Sequence, residues 1–247
     1  MKAISKIHPL SVLTRDRGGA RKDLPTLPLC MGKIAILGGT FDPVHWGHLL
    51  VAQAAASQFA LDRIIWMPDR VPPHKSRPDL AGFDRRREMV AAAIADRPDF
   101  VLAPLEANPP GTSFAIHTLL YLKNLYPEAQ RYWIVGADAF QTLPKWHRCC
   151  EIGGLCDWLV APRPPIVGAV PPCPPPGDLL STSDICRGVA EQMALRDAHI
   201  RWQVLAMPSI GISSSSIRRY CARSRSIRYL VPEAVRTYIA RHRLYRI

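Results

Sequence analysis

Two histidines stand three positions apart, His45 and His48, at the end of GGTFDPVHWGH, which runs from Gly38 to His48 directly after the apolar run Lys33–Leu37. At that spacing both rings can face one bound group from the opening turn of a helix. Two imidazoles beside a phosphate donate hydrogen bonds to its oxygens and stabilise charge as it builds up in a crowded transition state. Gly38 and Gly39 remove side chains, so that a nucleotide can lie close against the backbone at Thr40 and Phe41. Asp42 and Pro43 turn the chain, and a helix begins near Trp46 with free N–H groups and a positive dipole end that favour an anion. Gly47 keeps the space between the histidines clear. The GxGxxG and GxxxxGK[ST] phosphate loops do not match this segment. A lone histidine would read more simply as a cap or a packed ring, but HxGH after a glycine pair at a strand end favours phosphate chemistry.

A second segment of the same character lies far along the chain, at Ile212-Ser-Ser-Ser-Ser-Ile-Arg218. The hydroxyls of Ser213, Ser214, Ser215 and Ser216 suit a helix N-terminus and leave backbone N–H groups for a triphosphate. Arg218, just inside that helix, carries a planar fork matched to phosphate oxygens. A serine run is often a flexible linker; Ile212 and Ile217 on either side argue against that here.

These residues need a scaffold. Short apolar runs at Lys33–Leu37, Arg63–Met67, Phe100–Ala103, Tyr132–Val135, Trp158–Ala161 and Trp202–Leu205 read as strands. Helical patterns at His48–Phe59, Asp84–Asp96, Phe114–Tyr126 and Ser183–Arg196 lie between them, and Ala137–Cys150 reads as shorter helical pieces broken at Pro144. Alternating strands and helices predict an α/β fold, Rossmann-like and doubly wound, with a mostly parallel sheet and C-terminal helices in one domain over residues 31–247. In such sheets ligands bind beyond the carboxyl ends of the strands, which is where GGTFDPVHWGH falls. Residues 162–176 hold eight prolines and read as an extended surface loop rather than a recognition motif.

Composition narrows the partners. The formal net charge is +12, but residues 1–30 hold six lysines and arginines against two aspartates, and residues 216–247 nine arginines against Glu233. Residues 31–215 are therefore balanced, which makes a nucleic-acid-binding protein the weaker reading, although a polyanion-binding tail stays open. No apolar run approaches the roughly 18–20 residues of a membrane span, so a soluble protein without membrane partners is expected. The cysteines Cys30, Cys149, Cys150, Cys156, Cys173, Cys186 and Cys221 show no zinc spacing, and their odd number reads as free thiols in a reducing, cytoplasmic compartment. Residues 1–30, with Pro9, Pro25, Pro28 and Gly18-Gly19 and no sustained period, read as a disordered extension or a wrongly assigned start.

GGTFDPVHWGH resembles the GxFDPxHxGH signature of the nucleotidyltransferase superfamily, and Ile212–Arg218 resembles its ISSSxIR signature. Four further stretches resemble the bacterial nicotinate-mononucleotide adenylyltransferase family. These are Pro68–Lys75 (PDRVPPHK), Gly136-Ala-Asp138 followed by Trp146, Val160–Pro164, and the closing helix Leu230–Ile239. The likeness spans roughly residues 33–245. It implies adenylyl transfer from ATP to nicotinate mononucleotide, with His45, His48 and Arg218 acting on the phosphates. ATP would be held by Gly38, Gly39, Thr40, Phe41, His45, His48, Gly136, Asp138, Ser213, Ser214, Ser215 and Arg218. The mononucleotide would meet Thr40, His74, Lys75, Ala115, Trp146 and His147, with Trp146 stacked on the nicotinate ring.

The family's S-Y-T-x-[DQ]-T-L helix reads here Ser113-Phe-Ala-Ile-His-Thr-Leu119. Phe114, Ala115 and His117 thus leave the choice between the acid and the amide mononucleotide open. No carboxylate cluster suggests a protein-built metal cage, so Mg²⁺ is expected to arrive on ATP. The sequence leaves oligomeric state open, a homo-oligomer included, together with the part played by Cys149 and Cys150.

Overall fold

Along every long strand, apolar residues alternate between two destinations, the period-2 pattern of a sheet buried on both faces. In β1 (Lys33–Gly39) Ala35 and Leu37 enter one core and Ile36 the other; in β2 (Arg63–Pro68) Ile64 and Trp66 oppose Ile65 and Met67. The same split runs through β4 (Gln130–Gly136), with Tyr132 and Ile134 against Trp133 and Val135, and β5 (Asp157–Ala161), with Leu159 and Ala161 against Trp158 and Val160. The computed structural model describes residues 32–70, 80–104, 114–162, 179–208 and 210–246.

With β3 (Phe100–Leu102) and β6 (Arg201–Val204), the six strands form one sheet in the order β3-β2-β1-β4-β5-β6. Every pairing is parallel, so the expected mostly parallel sheet is parallel throughout. Strand order reverses at β1, whose neighbours are β2 and β4, and the carboxyl ends of β1 and β4 open the crevice where such folds take ligands. One face carries α1 (Trp46–Phe59), α2 (Phe83–Ala93), α7 (Ser214–Ala222) and α8 (Glu233–Arg241); the other carries α3 (Ala115–Leu125), α4 (Ala137–Gln141), α5 (Cys149–Gly153) and α6 (Leu179–Ala194).

The sequence pattern located these elements within a few residues. Helix α2 stops at Ala93 rather than Asp96, and α6 begins four residues earlier than expected, at Leu179. The expected third strand ends one residue later than the observed one and the expected sixth is shifted one residue later, although Ala103 N–H still donates to Trp66 O and Leu205 N–H to Val160 O. Pro144 does break the segment after β4, falling in a 3-10 turn, Leu143–Lys145, between α4 and α5. The expectations for residues 1–30, for the loop around His74 and Lys75, and for all of the proline-rich loop but Pro162 lie outside the described residues.

Candidate active site

At Gly38 and Gly39 the missing side chains make room first for the protein's own rings. A Cβ on Gly38 would lie 3.2 Å from the Trp133 indole, and one on Gly39 would lie 3.1 Å from the Phe41 ring. Phe41, buried and with φ of 49°, packs against Trp66 and meets His48 edge-on at 4.9 Å. The small residue that the sequence suggested for a nucleotide thus serves internal packing too at both positions. The Asp42–Pro43 peptide is cis, and extended His45 then caps α1.

The two imidazoles stack on each other, with centroids 3.7 Å apart and planes 22° from parallel. Gly47 makes this possible, because a Cβ there would sit 3.0 Å from the His45 ring. The backbone N–H of His45 donates to Nδ1 of His48 at 3.2 Å. Nδ1 is therefore an acceptor, and in the neutral ring the proton resides on Nε2. His45 is 6% exposed, and its Nδ1 is buried with no hydrogen-bond partner among the described residues. Burial pulls its pKa down to about 4, so at neutral pH this ring is an uncharged donor and acceptor.

The serine turn docks directly on this loop. Ser213 caps α7, its Oγ accepting from Ser216 N–H at 3.2 Å, and Ser214 Oγ donates to Pro43 O at 2.9 Å. Arg218, 8% exposed, donates from Nη1 to Asp42 O at 2.6 Å, lies 3.5 Å from Asp42 Oδ2, and donates from Nη2 to Ser215 Oγ. The N-terminus of α7 is thereby fastened to the loop that leads into α1, and each of these helix starts carries a positive dipole end. Arg218 was expected to reach phosphate, yet its fork is engaged by the protein on both terminal nitrogens.

Sequence reading missed Arg86 and Tyr245 around this loop and took Asp42 only as a turn residue. Asp42, 1% exposed, also accepts from Tyr245 OH at 2.7 Å and from Ala81 N–H at 3.2 Å, both through Oδ1. Burial and this carboxylate raise the Tyr245 pKa far above the ordinary tyrosine value. Arg86, 1% exposed, donates to the carbonyls of Ala81, Thr40 and Arg70; burial lowers its pKa, while Asp42 and Asp69 act in the opposite direction. A buried charge is tolerated when each polar edge is satisfied. A signal for Arg86 was present, since it shares a helical face with buried Met89, Val90 and Ala93. No comparable pattern marks Tyr245.

Across the crevice, β4 ends at Gly136, where a Cβ would meet nothing within 4 Å, and exposed Asp138 lies in the first turn of α4. Trp146, half-buried, has its Nε1 fixed by Thr142 Oγ1 at 2.9 Å and its ring edge-on to Trp133 and Trp158. His147 packs at a tilt against Phe114 at 4.4 Å, and His117 meets Phe114 at 5.9 Å. Phe114 caps α3, so Ala115 is its first residue. The structure therefore gathers Phe114, Trp146 and His147 into one aromatic region, with Trp133 linking it to Gly38. Among the described residues no group of three or more His, Cys, Asp or Glu could hold a metal ion, and no helix is long and apolar enough to cross a membrane.

A cytidylyltransferase-like family model matches residues 36–220. The probable nicotinate-nucleotide adenylyltransferase of Trichormus variabilis is 45% identical over 216 residues, covering 87% of this chain and 98% of its own. That of Syntrophotalea carbinolica is 39% identical over 217 residues, covering 87% and 97%. Among solved structures, the Plasmodium falciparum nicotinic acid mononucleotide adenylyltransferase complexed with NaAD aligns with a TM-score of 0.66 at 18% identity, over 87% of this chain and 97% of that one.

Proposed function

From the premise that this chain belongs to the cytidylyltransferase-like family, and within it to the nicotinate-nucleotide adenylyltransferases, we propose that it transfers the adenylyl group of ATP to nicotinate mononucleotide. The products are nicotinate adenine dinucleotide and pyrophosphate. The observation that carries this reading is the stacked pair His45 and His48 at a helix N-terminus whose leading loop is fastened to a second one, at the point where strand order reverses.

A phosphate monoester is already a nucleophile near neutral pH, so the site's task is alignment of two anions and neutralisation of their charge. As the acceptor phosphate attacks the α-phosphorus, Nε2–H of His48 donates to a non-bridging oxygen. His45, neutral and stacked on His48, supplies the second contact. Thr40, Gly38 and Gly39 border the nucleotide, with Phe41 behind them. Gly136 and Asp138 face the ribose, and the helix start at Ser213–Ser215 faces the triphosphate. Arg218 adds its charge to that field while joining α7 to the loop. Mg²⁺ bound to the triphosphate oxygens would neutralise part of their charge. Trp146 and His147 border the pyridine ring. The free thiols of Cys149, Cys150, Cys156, Cys186 and Cys221 support a cytoplasmic setting.

Ala115 favours a second reading, preference for the amide mononucleotide, because the first residue of α3 has no hydroxyl to offer a carboxylate. Pyrophosphate release from ATP and Mg²⁺ with either mononucleotide separates the two. Faster turnover of the acid is expected. Equal rates would mean a relaxed pocket, and no release with either would withdraw the acceptor.

A further inference from the structure

Cys149 and Cys150 open α5 immediately after Trp146-His147-Arg148, with their sulfurs 4.0 Å apart. Cys150 is exposed and Cys149 is 7% exposed. Cys149 is built into its surroundings: its Sγ lies 3.5 Å from Pro144 O and 3.6 Å from Arg196 Nη1, which itself donates to Pro144 O at 2.6 Å. Its backbone N–H donates to Trp146 O. We propose that this vicinal pair is a capture site for an uncharged trivalent arsenical, and that capture reshapes the Leu143–Arg148 segment at the acceptor end of the crevice.

Three considerations select that ligand class. Adjacent Cα atoms are held about 3.8 Å apart, short of the roughly 4.4–6.8 Å that disulfides span, so direct closure is disfavoured. A single bridging atom between the sulfurs relieves that constraint. The Arg196 guanidinium beside Cys149 opposes a soft metal cation but not a neutral electrophile of the type R–As=O. The exposed Cys150 attacks first, and Cys149 then closes the ring as an intramolecular step. Two S–H bonds and the As=O bond are exchanged for two As–S bonds and one water; arsenic stays trivalent and no electrons are transferred. Closure draws Cys149 Sγ away from Pro144 O, and through the Cys149–Trp146 backbone bond it displaces Trp146 and His147.

The test uses the reduced full-length protein and phenylarsine oxide. Intact mass should rise by one phenylarsine oxide less one water, with peptide mapping placing the adduct on Cys149 and Cys150. Excess glutathione should leave it in place and 2,3-dimercaptopropanol should remove it. Cys150→Ser, which keeps the buried thiol and basal activity, should lose resistance to glutathione by at least about tenfold, because only one As–S bond can then form. An adduct on other cysteines, one stripped from the parent by glutathione, or one retained unchanged by Cys150→Ser overturns the site. The second arm rests on the functional reading above: the adduct should raise KM for nicotinate mononucleotide severalfold and leave KM for ATP unchanged. Unchanged KM for both overturns the coupling. Failure of the functional reading shows differently, as untreated protein that releases no pyrophosphate, while the mass readout stands apart from it.

Discussion

The hydroxyl of Tyr245 donates a 2.7 Å hydrogen bond to the carboxylate of Asp42 across 203 positions of sequence. It fastens the end of the arginine-rich C-terminal segment to the loop that carries the histidine pair. Tyr245→Phe removes one donor from a buried carboxylate and should cost about 1–3 kcal/mol of stability, read from the urea midpoint. Asp42 keeps the Ala81 and Arg218 contacts, so the variant should fold. An unchanged midpoint would show that the bond contributes nothing net.

His48 is the ring whose proton faces away from the backbone bond. His48→Ala should lower kcat by on the order of 10²–10³ while far-UV circular dichroism stays the same, by analogy with loss of one oxyanion donor. Activity within twofold of the parent would remove His48 from the mechanism.

Gly47 is the residue that allows the rings to stack. A Cβ there would press on the His45 ring at 3.0 Å, and displacement of a reacting contact by about 1 Å can cost on the order of 100-fold. Gly47→Ala should therefore lose activity by roughly tenfold or more with only a small change in melting temperature. Full activity would mean that the stacked arrangement is dispensable.

Buried His45, with its pKa near 4 instead of 6.5, ties stability to pH. Between those values the unfolded chain binds a proton that the folded chain does not, so stability falls as pH drops from 6.5 towards 4 and is unaffected by this group above that window. The full effect amounts to about 3 kcal/mol. Urea denaturation from pH 7 to pH 5, above the carboxylate range, should show a decline in the parent that is absent in His45→Gln. The same slope in both would assign the decline to another group.

Ala115 tests how the acceptor is recognised. If backbone N–H groups at the start of α3 hold the nicotinate carboxylate, Ala115→Thr should leave the ratio of kcat/KM for acid over amide unchanged. A rise of about tenfold, the equivalent of roughly 1.4 kcal/mol, would show that a hydroxyl there carries the discrimination.

How far these features could be foreseen depends on the distance over which each is determined. The strands were legible because a sheet covered on both faces needs short, dense apolar runs, and Ile34, Ile64, Ile134 and Leu159 all fall within such runs and are buried. The histidine pair was legible because its spacing, its glycine and its helix start lie within eleven consecutive residues. The serine turn was legible too, since Ser213 caps the helix that it precedes. Nothing local distinguishes Arg218 bound to phosphate from Arg218 bound to Asp42, because the same planar fork serves both. Only the tertiary structure brought Asp42, Arg218 and Tyr245 together and chose Arg86 from three consecutive arginines for burial. It also set Trp133 over Gly38, so that this glycine gives room to a neighbouring ring as well. Local patterns determine where elements begin and which faces are apolar; the partners of a buried charge or ring are decided by packing between elements distant in sequence.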